Sequence, residues 1–335
     1  MENLRNDLPL CEKYRPKKLS DIVGQKKAVD TVREMLKEGN IQHLLFIGPP
    51  GVGKTSMAWV IANELFGENV RNCCLEINAS DERGIKVAQE KIKTYAKVGG
   101  LVHVAYKLMI LDEVDSSTQD FQEALRRIME EYVSNVRFIL CVNRVTKLIP
   151  AIISRCVPIS FVPLPKVFIM KRLSDICVSE QINADSNILE KIYEFSAGDL
   201  RKAINVLEAS WNADKKDGKI SEETIRELFG IPKKEDIKSM IDKAREGNFT
   251  ESCKILDKVL YKDFIDAKLL VFSLLDYLKS NNTGQALELI QELGNIDLYD
   301  EKKALEVQLT SFLACVCQKC NKGKEENKEP PDIFG

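Results

Sequence analysis

The chain has 335 residues, enough for two or three domains, and its 44% hydrophobic and 30% charged residues are the composition of a folded globular protein. No apolar run is long enough to cross a bilayer, and the opening MENLRNDLPL holds no leader-type apolar core, so neither a membrane partner nor secretion is expected. The formal net charge of −2 gives no global reason to expect nucleic-acid binding, although a local basic face would be enough.

In chain order, residues 43–47 form the first continuous apolar run and read as a buried strand, followed by a helix over 55–65. The same alternation continues with a strand at 74–78 and a helix at 85–97. A strand at 108–112, a helix at 119–132 and strands at 138–143 and 157–161 complete it. Apolar strands alternating with helices predict an α/β domain whose parallel sheet is covered on both faces. Val162-Pro163-Leu164-Pro165 breaks the pattern, and no convincing strand follows. Residues 163–229 read as a small all-α domain, Gly230-Ile231-Pro232 marks a second break, and 230–320 are helical again. Residues 321–335 are polar and contain two prolines, which predicts a disordered tail.

Ten cysteines are scattered through the chain, many of them in apolar stretches (Cys73, Cys74, Cys141, Cys177, Cys253), and read as reduced core thiols. Cys315, Cys317 and Cys320 lie close together, but three thiols without a nearby histidine fall short of the four ligands of a structural zinc site. A plain helix is the expectation there.

Chemistry concentrates in the first domain. Gly48-Pro49-Pro50-Gly51-Val52-Gly53-Lys54-Thr55 satisfies the G-x-x-x-x-G-K-[ST] pattern and sits between a strand and a helix, as a phosphate cradle must. Its glycines let backbone N–H groups approach phosphate, Lys54 offers a charge, the Thr55 hydroxyl is a Mg²⁺ ligand, and Ser56 opens the helix whose N-terminus favours an anion. Four apolar residues then deliver Asp112 and Glu113 to a strand end. Asp112 reads as the second contact to Mg²⁺ and Glu113 as the base that polarises water. Asn143 ends the next strand within reach of the γ-phosphate, although such an Asn standing alone is more often a turn residue. Arg155 suits the role of an arginine placed on developing phosphoryl charge, and Arg201 lies near the start of a helix in the second domain. Together these residues imply an ATPase that uses ATP and Mg²⁺.

Five ordered blocks carry a resemblance. They are Glu12-Lys13-Tyr14-Arg15-Pro16 with Asp21-Ile22-Val23-Gly24-Gln25, the stretch Asn78-Ala79-Ser80-Asp81-Glu82-Arg83-Gly84-Ile85, Ala124-Leu125-Arg126-Arg127-Ile128-Met129-Glu130, Ser154-Arg155-Cys156, and Gly198-Asp199-Leu200-Arg201-Lys202-Ala203-Ile204-Asn205. In these the chain resembles the small subunits of replication factor C, the clamp loaders among the AAA+ ATPases. The C-terminal domain matches only in size and helical character. The resemblance implies a AAA+ nucleotide-binding domain over 1–162, a lid over 163–229 and an oligomerising collar over 230–320. It implies that Cys11, Arg15 and Val23 line the adenine pocket, that Asn143 and Arg201 are the two nucleotide sensors, and that Arg155 acts in trans on a neighbour's ATP. It also implies that Asn78 restrains Glu113 until DNA is bound. Implied partners are other small subunits and a large subunit in a ring of five, a sliding clamp and primer–template DNA. The location would be the nucleus of a eukaryote or the cytoplasm of an archaeon.

Arg83, Lys86, Lys91, Lys93 and Lys97 make a locally basic stretch that the family lays along the DNA backbone, although a solvated helical face partly offset by Glu82 and Glu90 would look the same. Several positions depart from the usual family text: Val52, Val114, Cys11, Arg144 and Leu148-Ile149-Pro150-Ala151. None removes a catalytic group. Two other readings stand beside that of a hydrolysing clamp-loader subunit: a mainly structural ring subunit that holds nucleotide and donates Arg155, and another AAA+ DNA motor or unfoldase. Pro330-Pro331-Asp332-Ile333-Phe334-Gly335 ends on two large apolar residues before the last glycine and suits a clamp-docking peptide, with a disordered terminus the plainer expectation.

Overall fold

The computed structural model describes residues 8–39, 41–80, 85–97, 105–263, 265–280, 284–296 and 302–325, without the side chains of 85–89, 284–285, 302–304 and 320–325. Two compact units divide the chain at Met1–Lys219 and Ile220–Gly335.

The first unit holds a sheet of five strands: β1 (Leu44–Ile47), β2 (Cys74–Asn78), β3 (Lys107–Asp112), β4 (Val136–Val142) and β5 (Val157–Ser160). All pairings are parallel, in the order β2-β3-β4-β1-β5. The helices around it are α1 (Leu10–Lys13), α2 (Lys26–Lys37), α3 (Lys54–Phe66), α4 (Val70–Cys73), α5 (Ile85–Lys97), α6 (Gln119–Glu131) and α7 (Pro150–Ile153).

Successive strand residues point to opposite faces, and here both faces are buried. Leu44, Phe46, Leu108, Ile110, Ile139 and Cys141 pack with Met57, Ala58, Val60 and Ile61 of α3. Leu45, Met109, Leu111, Phe138, Leu140 and Val142 pack on the other side with Ile92 of α5 and with Phe121, Leu125 and Met129 of α6. This is why the strands read as unbroken apolar runs. A three-helix bundle completes the unit: α8 (Lys166–Glu180), α9 (Ser186–Ser196) and α10 (Leu200–Asp214). Asp185 caps α9 by accepting the Ile188 N–H, and Asp199 caps α10 by accepting the Lys202 N–H, both at 2.9 Å.

The second unit is helical throughout its described elements: α11 (Glu222–Phe229), α12 (Lys234–Glu246), α13 (Phe249–Asp257), α14 (Ala267–Ser280), α15 (Gly284–Gly294) and α16 (Lys302–Glu325). Ile237, Met240, Ile241, Leu270, Leu274, Leu309, Leu313 and Val316 form its core. Gly230, at φ 61°, caps α11, and helix α16 runs as far as Glu325. Cys315 is half-buried and Cys317 lies in the core, and among the described residues no group of three or more His, Cys, Asp and Glu side chains is placed to hold a metal ion.

Candidate nucleotide site

The carboxyl ends of β1, β3 and β4 meet at one edge of the sheet, where α/β proteins bind ligands. Strand β4 lies between β1 and β3, so the loop beyond Val142 emerges between the phosphate cradle and Asp112. A cleft there is lined by Pro50 to Ser56, Asp112, Glu113 and Asn143, by Cys11, Arg15 and Val23 of the N-terminal segment, and by Leu200, Arg201 and Ile204 of α10.

Local geometry explains the cradle. Gly51 and Gly53 have φ of 71° and 99°, backbone that side-chain-bearing residues rarely adopt. A Cβ on Gly48 would come within 2.4 Å of the Phe161 carbonyl oxygen, and one on Gly51 within 1.7 Å of an Asp199 carboxylate oxygen. The cradle is therefore packed against the end of β5 on one side and the α10 cap on the other. Helix α3 begins after Gly53 with no side-chain cap, which leaves its first-turn N–H groups available to an anion.

Lys54 is buried, and its ammonium donates to the Gly48 carbonyl at 2.6 Å, the Pro49 carbonyl at 2.8 Å and Asn143 Oδ1 at 3.0 Å. Burial lowers its pKa and the Arg201 cation acts the same way, while the carboxylates of Asp112 and Asp115 oppose that shift. The Thr55 hydroxyl donates to Asp112 Oδ2 at 2.6 Å. An uncapped helix start, a buried ammonium and a hydroxyl paired with a carboxylate form a donor set that fits a nucleotide polyphosphate with a hard divalent cation.

Glu113 sits at φ 55°, ψ 36°, a left-handed conformation that costs a non-glycine residue about 1–3 kcal/mol. The bonds that hold it are Glu113 N–H to Asp112 Oδ1 at 2.9 Å and Ser116 N–H to the Glu113 carbonyl at 2.9 Å. In the resulting turn Asn78 Nδ2, at the end of β2, reaches the Glu113 carboxylate at 3.5 Å. Strain of this kind at a strand tip is commonly kept for function.

Other expected residues fall elsewhere. Arg155 does not line the cleft of its own chain. It donates to the Ala151 carbonyl at 2.6 Å and is ion-paired with Glu130, which Arg126 also holds. Lys91 and Lys93 are exposed on α5, and Lys86 lies on the same helix. Arg83 and the 330–335 peptide lie outside the described residues.

The structure also brings in residues that the sequence left without a role. Gln25 is buried and bridges cradle and sheet: its amide donates to the Val162 carbonyl at 2.7 Å and the Val52 carbonyl at 3.4 Å, and accepts the Val162 N–H at 3.2 Å. Glu180 of α8 pairs with Lys13 and Tyr14, Arg172 donates to the Tyr14 carbonyl at 2.7 Å, and Glu208 of α10 accepts the Leu10 N–H at 3.0 Å. These contacts fix the segment carrying Cys11 and Arg15 to the three-helix bundle. Sequence signals for them are weak, because all but one of these polar partners lie 137 to 198 residues apart and leave no local pattern.

A five-stranded parallel sheet with a phosphate cradle after one strand, an Asp-Glu pair after another and an Asn between them defines a P-loop ATPase of the AAA+ class. Comparisons agree. A model described as the ATPase family associated with various cellular activities (AAA) matches residues 44–164, an RCF1/5-like AAA+ ATPase lid domain matches 171–210, and a replication factor C C-terminal domain matches 232–299. The replication factor C small subunit of Aeropyrum pernix is 44% identical over 249 residues, 74% of this chain and 75% of that protein. That of Archaeoglobus fulgidus is 38% identical over 306 residues, 90% of this chain and 95% of that protein. The chain belongs to the replication factor C small-subunit family, the clamp-loader branch of these ATPases. In fold it is also similar to the RuvB Holliday junction branch migration motor of Thermotoga maritima, with a TM-score of 0.55 over 83% of this chain and 98% of that one, at 16% identity. Among the described residues no helix is long and apolar enough to cross a membrane.

Proposed function

We propose that this chain is a working ATPase subunit of a clamp-loading ring, assembled from other small subunits and a large subunit, that opens a sliding clamp and places it on primer–template DNA. The observation that carries the reading is the meeting of three pairs at one sheet edge: Lys54 with Asn143, Thr55 with Asp112, and Asn78 with Glu113. The first pair joins a phosphate-binding cation to a sensing amide, the second two groups suited to Mg²⁺, and the third the water-polarising carboxylate to the amide that restrains it.

In this reading the first turn of α3 and the Lys54 ammonium hold the β- and γ-phosphates. Thr55 and Asp112 would hold Mg²⁺, which supplies charge neutralisation on the phosphates. Glu113 orients and polarises the attacking water and takes its proton as the bond to the γ-phosphorus forms and the bond to the bridging oxygen breaks, releasing ADP. Asn143 trades its bond to Lys54 for one to the γ-phosphate or the water. Cys11, Arg15 and Val23 hold the adenine, and Arg201 reports phosphate occupancy to α10. Arg155, turned away from its own cleft, serves the ATP of a neighbouring subunit. DNA phosphates lie along the basic face of α5, which releases Glu113 from Asn78 and gives turnover stimulated by DNA and clamp. The domain roles are nucleotide binding over 1–162, a lid over 163–229 and a collar over 230–320, in the nucleus of a eukaryote or the cytoplasm of an archaeon.

The test is steady-state hydrolysis by the reconstituted ring with this subunit replaced by Lys54→Ala or Glu113→Gln. Glu113→Gln is expected to lower this subunit's turnover by about 100-fold or more while nucleotide still binds. Turnover and loading that are unchanged in both variants would leave the subunit the role of a structural member that holds nucleotide and donates Arg155.

A further inference from the structure

Beyond Asp112 and Glu113 lies a third acid of the same turn, Asp115. It is 6% exposed, the most enclosed carboxylate at this edge of the sheet. Its two oxygens are divided between two consecutive N–H groups of the loop after β4: Oδ1 accepts from Asn143 at 3.2 Å and Oδ2 from Arg144 at 3.0 Å. Asn143 in turn accepts from the Lys54 ammonium. The turn that carries Asp115 is itself tied to Glu113, through Ser116 N–H to the Glu113 carbonyl and Ser117 N–H to the Val114 carbonyl at 3.1 Å. A buried carboxylate spanning two backbone donors is a charge-assisted, two-point clamp, and it spans the tips of two adjacent strands.

We propose that Asp115 is a positioning residue for hydrolysis: it fixes the backbone at Asn143, and so sets the Asn143 amide at the distance from Lys54 and Glu113 that turnover needs. The inference rests on the assignment of Asn143 to the hydrolytic machinery.

Chemistry selects a carboxylate here. Two neighbouring N–H groups converge on one side chain, so both of its oxygens must accept. An asparagine would satisfy one donor and set its own NH₂ against the other. The Asn143 loop would then settle with one bond, and the Asn143 amide would move relative to Lys54. Phosphate binding depends on α3 and Lys54, whose carbonyl contacts do not involve this loop, so affinity should survive.

The experiment measures kcat and KM for ATP, together with binding of a non-hydrolysable ATP analogue, in the ring assembled with its native partners. Its variants are Asp115→Asn, Asn143→Ala and the double substitution. The expected result is a kcat lower by about 10- to 100-fold in Asp115→Asn, with analogue affinity within about twofold. The double variant should be no slower than Asn143→Ala alone, because Asp115 works through Asn143. An Asp115→Asn ring with full kcat, or losses that multiply in the double variant, would overturn the proposal. If Asn143→Ala keeps full kcat, the assignment of Asn143 fails and this inference falls with it; full loss in Asn143→Ala with none in Asp115→Asn removes this inference alone. Should Asp115→Asn not assemble, Asp115→Ser, which keeps one short acceptor, is read by the same criteria.

Discussion

Gly51→Ala isolates how the cradle is built. At φ 71° an alanine pays about 1–2 kcal/mol for the left-handed backbone. Its Cβ would also stand 1.7 Å from Asp199 Oδ1 and 2.0 Å from the carboxylate carbon. The carboxylate must leave, and with it goes its bond to the Lys202 N–H at 2.9 Å, a helix cap worth about 1 kcal/mol. Together the loss is about 2–3 kcal/mol. Gly53→Ala is the control: its φ is 99° and nothing lies within 4 Å of its Cβ, so only backbone strain applies, about 1–2 kcal/mol. The two variants should therefore differ by about 1 kcal/mol, roughly fivefold in the folding equilibrium. Urea unfolding followed by tryptophan fluorescence reads this directly, because both tryptophans, Trp59 on α3 and Trp211 on α10, belong to the first unit. In an Asp199→Ala background the cost of Gly51→Ala should drop to that of Gly53→Ala. Equal losses for the two glycines in the wild-type background, or a Gly51 cost that Asp199→Ala leaves unchanged, would refute the packing of the α10 cap against the cradle.

Three further outcomes are expected. Asn78→Ala removes a 3.5 Å bond worth about 0.5–1 kcal/mol, so hydrolysis by the ring without DNA should rise by about two- to fivefold and stimulation by DNA should shrink, as read in a coupled ATPase assay. Arg155→Ala should leave nucleotide binding by the isolated subunit unchanged and slow hydrolysis at the neighbouring site by about 10³-fold or more, measured in a ring where only that neighbour can hydrolyse. His43 is buried with its Nδ1 accepting the Phe138 N–H at 3.1 Å, a bond that a protonated ring cannot accept, and burial pushes its pKa down to about 4. Above pH 6.5 both folded and unfolded imidazole are neutral. As pH falls from 6.5 to 4 only the unfolded chain takes up the proton, so up to about 3 kcal/mol of stability is lost across that window. His43→Asn, which keeps an acceptor but cannot titrate, should flatten this part of the urea-stability profile, and an unchanged slope would count against the assignment.

Much of the molecule is legible before any fold is known, for reasons that are local. Unbroken apolar runs such as 108–111 announce strands buried on both faces, and the cradle at 48–55 needs its glycines and lysine at fixed spacing because it is one continuous turn. Asp112 and Glu113 stand out because a strand delivers its last residues to the carboxyl edge of the sheet, where α/β proteins bind ligands. Helix ends are legible for the same local reason: Gly230 takes the left-handed backbone that closes α11.

Local residue pattern is thus enough to reveal the kind of chemistry: strand-borne acids, a phosphate cradle and an arginine suited to phosphoryl charge. Which groups meet depends on the packed fold. Strand order is set by long-range packing and has no period along the chain, yet it is the placement of β4 between β1 and β3 that brings Asn143 to Lys54. Which way the acids of one turn face depends on the left-handed backbone at Glu113, so Asp112 serves Thr55 while Asp115, three residues on, turns back to hold the Asn143 loop. The same holds for Gln25 and Arg155: the first is buried between cradle and sheet exit, the second is held by Glu130 outside its own cleft, and only the packed chain distinguishes such positions from ordinary polar surface.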